Sequence, residues 1–209
     1  FNSARFAITE PVWLRIVRAM NEHQYTLNMD EPLVSVCIPT YNRAQLLLER
    51  AVSSVLQQTY QNIELIIVGD HCTDNTEELL SKIGDPRLIF YNLPERKRNY
   101  PATVENHWFV GGAVPANKAL ELVQGKWIAR VDDDDIWTPD HIEKLLHFAQ
   151  KERLEFVSSS YVEERYGKQI VVDVSDENPR IGGVQTWLYR SYLRFLKYNP
   201  NCYRKTWNR

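Results

Sequence analysis

KWIARVDDDDIWTPDHIEKLLHFAQ, residues 126–150, runs from an apolar segment through four consecutive aspartates into an amphipathic one. Trp127-Ile128-Ala129 reads as the interior of a buried strand. Thr138 reads as a helix cap, with Pro139 at the first helical position. Between them, Asp132 to Asp135 crowd like charges. Carboxylates within ~4–6 Å of one another raise each other's pKa, so keeping several ionised calls for a cation or strong donors. A hard divalent ion, Mg²⁺ or Mn²⁺, prefers oxygen ligands and takes one or two carboxylates plus substrate phosphates. A calcium EF-hand would need alternating ligands, a central glycine and a distal glutamate, none of which is present. A solvated acidic turn, or capping of the next helix, accounts for Asp135 and Asp140 but not for four acids behind a buried strand.

Working outward, the pattern is strand, helix, strand, helix. LVSVCIP (33–39) is a near-continuous apolar run rich in β-branched residues, as expected of a strand covered on both faces. Residues 45–56 carry a helical period, 63–70 form a second buried strand, and 73–84 a capped helix closed by Gly84. Strands are expected at 88–92 and 126–131, helices at 114–125 and 138–150, and later strands at 156–164 and 169–174. The segment 96–108 reads as a loop, with Arg96 and Arg98 able to meet phosphate. This alternation predicts an α/β domain with a mostly parallel sheet flanked by helices. In such sheets ligands bind beyond the carboxyl ends of the strands. That rule gathers three loops on one edge: Thr40-Tyr41-Asn42-Arg43, Asp70-His71-Cys72 and Asp132–Asp135. An aromatic face with a carboxylate acceptor nearby, Tyr41 with Asp70, suits a nucleobase; a metal site beside them describes a nucleoside-diphosphate pocket.

The chain has 209 residues, 44% apolar and 25% charged, with a net charge of -2. That balance gives no global drive toward nucleic acid or anionic membrane. Cys37, Cys72 and Cys202 are odd in number and widely spaced, which reads as free thiols in a reducing, cytoplasmic setting. No apolar run approaches a membrane span and no signal peptide is visible. A start at Phe1 reads as a piece of a longer chain. Thr9-Glu10-Pro11 opens a short amphipathic helix, giving an N-terminal helical extension and linker over 1–32 and a main domain over 33–209.

VSVCIPTYNR, SVLQQTYQNIELIIVGDHCTDNT and ANKALELVQGKWIARVDDDDIWTPDHIEKL together resemble the family 2 glycosyltransferases of bacterial polysaccharide biosynthesis, which have the GT-A fold. The resemblance runs from about Leu33 to Tyr161 and more loosely beyond. It implies that Pro39, Thr40, Tyr41 and Arg43 border the nucleotide, with Tyr41 stacking on the base and Asp70 accepting a hydrogen bond from it. The D-x-D element falls on Asp132-Asp133-Asp134. Asp134 is the implied ligand of Mn²⁺ or Mg²⁺, supported by Asp132; Asp132 and Asp133 contact ribose and metal-bound water. Gly69 departs from relatives that carry a second aspartate there, which leaves the base contact to Asp70 alone. The implied reaction is inverting transfer from a nucleotide sugar, UDP favoured, to a hydroxyl of a glycan or lipid-linked acceptor.

Such transfer needs a carboxylate base. Residues 178–209 contain no acid, so the base is expected beyond Arg209 and the domain is expected to be cut short. Asp173, Asp176 and Glu177 are the fallback candidates. A non-catalytic sugar-nucleotide or glycan-binding module is the rival reading. A nucleotidyltransferase would carry a glycine-rich basic loop where this chain has TYNRAQ. The basic, aromatic tail 188–209 places Arg190, Arg194 and Lys197 on one helical face, which suits peripheral membrane contact or packing against further chain better than nucleic acid.

Overall fold

A computed structural model of the chain describes residues 31–97, 100–174 and 181–204. The amphipathic helix expected near Pro11, together with Arg98, Asp176 and Glu177, lies outside these residues. Strands β1 (Val34–Thr40), β2 (Ile63–Gly69), β3 (Leu88–Asn92), β4 (Trp127–Arg130), β5 (Phe156–Ser158) and β8 (Trp187–Arg190) form one sheet in the order β3-β2-β1-β4-β8-β5. The first four are parallel; β8 runs antiparallel between β4 and β5. Strands β6 (Tyr161–Arg165) and β7 (Lys168–Val172) make a separate hairpin.

Every residue of β1 and β2 is buried, which explains why these strands read as unbroken apolar runs. Their side chains alternate between two layers. Val34, Val36, Ile38, Leu65 and Ile67 pack against helix α1 (44–56) and helix α5 (His141–Lys151) through Leu47, Val55, Ile142 and Leu146. Cys37, Ile66 and Val68 face helix α4 (Ala113–Leu122) through Ala119 and Leu120. At roughly 1.5–3 kcal/mol per fully buried aliphatic side chain, these two layers supply the main driving force for the fold.

Four expectations change. The segment expected to be a loop contains helix α3 (Val104–Val110), started by Thr103, whose side chain accepts from Asn106 N. The strand expected over 156–164 breaks at Ser159-Ser160 into β5 and β6, because Ser159 N turns to Thr186 O (3.3 Å) and Ser160 Oγ to Asp173. The tail is not one helical face: Arg190 is a buried strand residue stacked over Trp127 (4.7 Å), Arg194 donates to Val123 O (3.1 Å), and Lys197 pairs with Glu121 (3.6 Å). The apolar period of Leu188 and Arg190's partners belongs to a sheet. Helix α2 (Thr76–Ser81) is shorter than expected, its start fixed by Asp74 Oδ1 accepting from Thr76 N (3.2 Å). Among the described residues no helix is long and apolar enough to cross a membrane.

Gln58, 1% exposed, joins the two ends of the site's scaffold. Its Nε2 donates to Thr138 O (2.7 Å) and Ser54 O (3.1 Å), and its Oε1 accepts from Ile142 N (3.0 Å). The start of α5, and with it the far end of the aspartate turn, is thereby pinned to α1. Gln58→Ala leaves buried backbone groups unpaired and is expected to cost about 3 kcal/mol in urea unfolding, with the midpoint shifted and the slope unchanged.

Candidate functional site

The register of the central ladder brings the three loops together. Thr40, the last residue of β1, is level with Gly69, the last of β2, while β4 ends at Arg130 opposite Cys37, three residues earlier along β1. Two of the loops then turn through left-handed residues, Asn42 (φ 48) and His71 (φ 60). Asparagine tolerates this region and histidine less so. Asn42 also ties its loop to the next one, accepting from Thr73 N (2.8 Å) and donating to Thr73 Oγ1 (3.2 Å). Gly69 has a steric reason: a Cβ there would lie 2.6 Å from Asn92 Oδ1. Asn92 grips the β2 loop through Cys72 N (2.8 Å) and Cys72 O (2.9 Å).

The result is a cavity of about 340 Å³ at the carboxyl ends of the strands. Pro39, Thr40, Tyr41, Arg43, Asp70, Asp132, Asp133 and Asp134 all line it, so every candidate nucleotide and metal residue named from sequence stands in one place. Its other walls are Arg96, His107, Gly111, Gly112, Pro115 and Arg130. His71 is not among them; its Nδ1 meets Leu93 O (3.2 Å). Arg130 carried a sequence signal that went unused, a lone charge inside an apolar strand.

Four carboxylates and three guanidiniums share this cavity, and each acid has an arginine. Arg130 Nη2 meets Asp132 Oδ1 (2.8 Å). Arg43 Nη1 bridges Asp133 Oδ1 (3.2 Å) and Asp134 Oδ2 (3.1 Å). Arg96 Nε meets Asp70 Oδ2 (2.7 Å), and its guanidinium lies 3.3 Å from the Tyr41 ring centroid. Burial raises the Asp133 carboxyl above the usual range, opposed by the Thr40 hydroxyl (2.8 Å) and Arg43. Asp134 has a half-exposed side chain. Among the described residues no three His, Cys, Asp or Glu side chains converge as a self-sufficient metal cage. Asp134, the most exposed of the four although Arg43 bridges it, would with its carboxylate neighbours suit a hard divalent ion of the kind that takes one or two carboxylates plus phosphates.

A second cavity, about 360 Å³, borders the same turn from the other side, at Asp135. Its walls include Trp137, His141, Ser159, Ser160, Tyr161 and Gln185. Trp137 Nε1 is held by Gln185 O (2.7 Å), and His141 stacks on the indole at 4.5 Å. Asp173, the one described fallback base, is exposed and accepts from Ser160 Oγ (3.2 Å); it lines neither cavity itself, although Ser160 lines the second.

Comparison with known proteins agrees with this architecture. Residues 35–205 match the sequence profile of glycosyl transferase family 2. The Escherichia coli UDP-Glc:alpha-D-GlcNAc-diphosphoundecaprenol beta-1,3-glucosyltransferase WfaP is 35% identical over 133 residues, 64% of this chain and 47% of WfaP. The putative teichuronic acid biosynthesis glycosyltransferase TuaG of Bacillus subtilis (strain 168) is 38% identical over 133 residues, 63% of this chain and 47% of TuaG. The chain thus spans about half the length of the curated relatives it matches. The structure of S. aureus TarS 1-349 has a TM-score of 0.61 at 22% identity, covering 77% of this chain and 47% of that one, a likeness of fold. TarS 1-349 has also been solved in complex with UDP-GlcNAc.

Burial holds the His141 imidazole down at about 4, from 6.5. A depressed histidine contributes fully above pH 6.5, loses that contribution as pH falls to about 4, and loses nothing further below. Asp135, pushed up to about 6 by burial and then by Asp132 and Asp134, titrates with the opposite sign in the same window. The difference in stability between wild type and His141→Phe isolates the imidazole. It is expected to shift by about 3 kcal/mol against wild type between pH 7 and pH 4, read from urea melts.

Proposed function

The chain belongs to glycosyl transferase family 2, and from that membership we propose that its first cavity binds a nucleoside-diphosphate sugar, UDP favoured, and that the sugar passes to a hydroxyl of a glycan or lipid-linked acceptor. The observation that carries this reading is the convergence of Tyr41, Asp70 and Asp132–Asp134 on one cavity. Its volume falls within the usual range for small-molecule sites. WfaP's name, with its UDP-glucose donor and diphosphoundecaprenol-linked acceptor, and the TarS complex with UDP-GlcNAc support the choice of donor class.

In this reading Tyr41 offers its ring to the base, Asp70 accepts a base N–H, and Asp132 and Asp133 contact the ribose side. Pro39 and Thr40 border the base, and Arg43 lies toward the diphosphate. Asp134, with Asp132 in support, would hold Mn²⁺ or Mg²⁺, whose charge neutralises the leaving diphosphate. The acceptor approaches from the second cavity, across the aspartate turn. Its hydroxyl oxygen bonds to the anomeric carbon as the bond to the diphosphate oxygen breaks, with inversion, and its proton goes to a carboxylate. Asp173, which accepts from Ser160 of that cavity's wall, is the described candidate. A cytoplasmic setting suits three widely spaced cysteines, Cys37, Cys72 and Cys202.

One observation favours a second reading, a non-catalytic sugar-nucleotide module. Each carboxylate of the first cavity is engaged by an arginine, which leaves none there to take the acceptor proton.

Thermal-shift titration with UDP, with and without Mn²⁺, tests the proposal. A ligand at a hundredfold its Kd stabilises by about 2.7 kcal/mol, so the melting temperature should rise, and rise more with Mn²⁺. Asp134→Ala is expected to remove the Mn²⁺ increment, and Tyr41→Ala to weaken UDP about tenfold, within the range of a lost base–aromatic stack. An unchanged melting temperature with every nucleoside diphosphate would sink the reading. Release of UDP from a UDP-sugar, dependent on an added acceptor, then separates the enzyme from the binding module.

A further inference from the structure

The place assigned to a nucleobase is filled by a side chain of the protein itself. Arg96 lies over the Tyr41 ring, its guanidinium carbon 3.3 Å from the centroid, at van der Waals contact. At the same time its Nε donates to Asp70 Oδ2 at 2.7 Å. Both members of the pair are nearly shut off from solvent, with side-chain exposures of 11% and 8%. A guanidinium is planar, stacks on aromatic faces and donates N–H bonds from its edge. A uracil or guanine ring is also planar, stacks on aromatic faces and carries an edge N–H. A base lying on this face of Tyr41 with its N–H toward Asp70 therefore needs the volume and both partners that Arg96 now uses. At contact distance nothing can enter between them.

We propose that Arg96 is an internal surrogate for the nucleobase, and that a base binds only by displacing it, like for like. This rests on the nucleotide reading of the cavity and goes beyond it in two ways. The first concerns affinity: the binding-competent form is the minor one in which Arg96 has swung away, so observed affinity is reduced by that fraction. The second concerns ligand class. Displacing Arg96 strips a buried carboxylate of its donor, and an unpaired buried acceptor is costly. The incoming ring must restore an N–H at that edge. Uracil and guanine do so through a ring N–H, whereas cytosine and adenine have a ring-nitrogen lone pair at that position and can donate only from the exocyclic amino group beside it.

The exchange is tested with uridine, which lacks the diphosphate and so reports on the base alone. With a minor form at or below about 10% of the population, Arg96→Ala is expected to bind uridine about tenfold more tightly than wild type, chiefly through faster association. Arg96→Lys keeps a cation near Asp70 without the flat stack and is expected to fall between the two; it serves if the alanine variant folds poorly. Methylguanidinium is expected to compete with uridine in Arg96→Ala and not in wild type, an effect that a merely structural arginine would not produce. In wild type, uridine should bind in preference to cytidine. If Tyr41→Ala abolishes uridine binding while Arg96→Ala leaves it unchanged or weakens it, the surrogate idea is wrong and the nucleotide reading stands. If uridine and UDP bind without regard to Tyr41, the nucleotide reading fails and the surrogate idea fails with it.

Discussion

The site depends on the register of one strand. β1 is paired on both sides, Thr40 with Gly69 and Cys37 with Arg130, and it has no freedom to slide: a shift of one residue would swap its two core layers. Because the ladder ends at Thr40, the backbone of the next loop is fixed by Asp70 N donating to Thr40 O (2.8 Å), and Val131 is held by Cys37 O (3.2 Å). Tyr41, Asp70 and Asp132 therefore leave the sheet from positions that the hydrophobic layers have already set. The polar site inherits its geometry from an apolar constraint.

The charges inside the cavity follow a second rule. Acids close together raise one another's pKa unless cations or donors intervene. Here the intervening groups are arginines drawn from three different places: the loop after β1, the last residue of β4 and the segment after β3. Taking such pairs out of water carries a desolvation penalty that their attraction roughly offsets, so their value for stability is small. What they provide is placement. The guanidinium forks fix the orientation of carboxylates that would otherwise repel, and Thr40 Oγ1 adds a neutral donor to Asp133, which is buried nearly as deeply as Asp70.

Much of this was legible before any coordinates. The buried parallel strands announced themselves through continuous β-branched runs, and the rule that ligands gather beyond strand ends was enough to unite residues as distant in sequence as Thr40 and Asp134. What escaped was of two kinds. Helix α3 sits in a segment where charged and aromatic residues interleave, so no apolar face stands out; its one local signal is the Thr103 cap. Strand β8 lies in a basic tail whose helical-looking spacing was overridden by pairing with β4 and β5. Arg96 was noticed as a possible phosphate contact, but its position over Tyr41 is a tertiary fact without a sequence period. The bend at Ser159-Ser160 was hidden for a similar reason, since serines within a strand-like run do not reveal that the chain is changing sheets.

The antiparallel insertion of β8 also sets an order of events. Among the described residues β5 has no neighbour in the main sheet except β8, which follows it only after the whole β6–β7 hairpin. Until residues 187–190 are in place, β4 presents an open edge and β5 has nothing to pair with. Contacts of such long sequence separation close late, because the entropy of the intervening loop must be lost first. During synthesis, then, β1 to β4 can assemble the half that bears the first cavity before the rest, and the half bearing β5 and the second cavity is clasped onto it last, by a strand arriving from the far side of the hairpin.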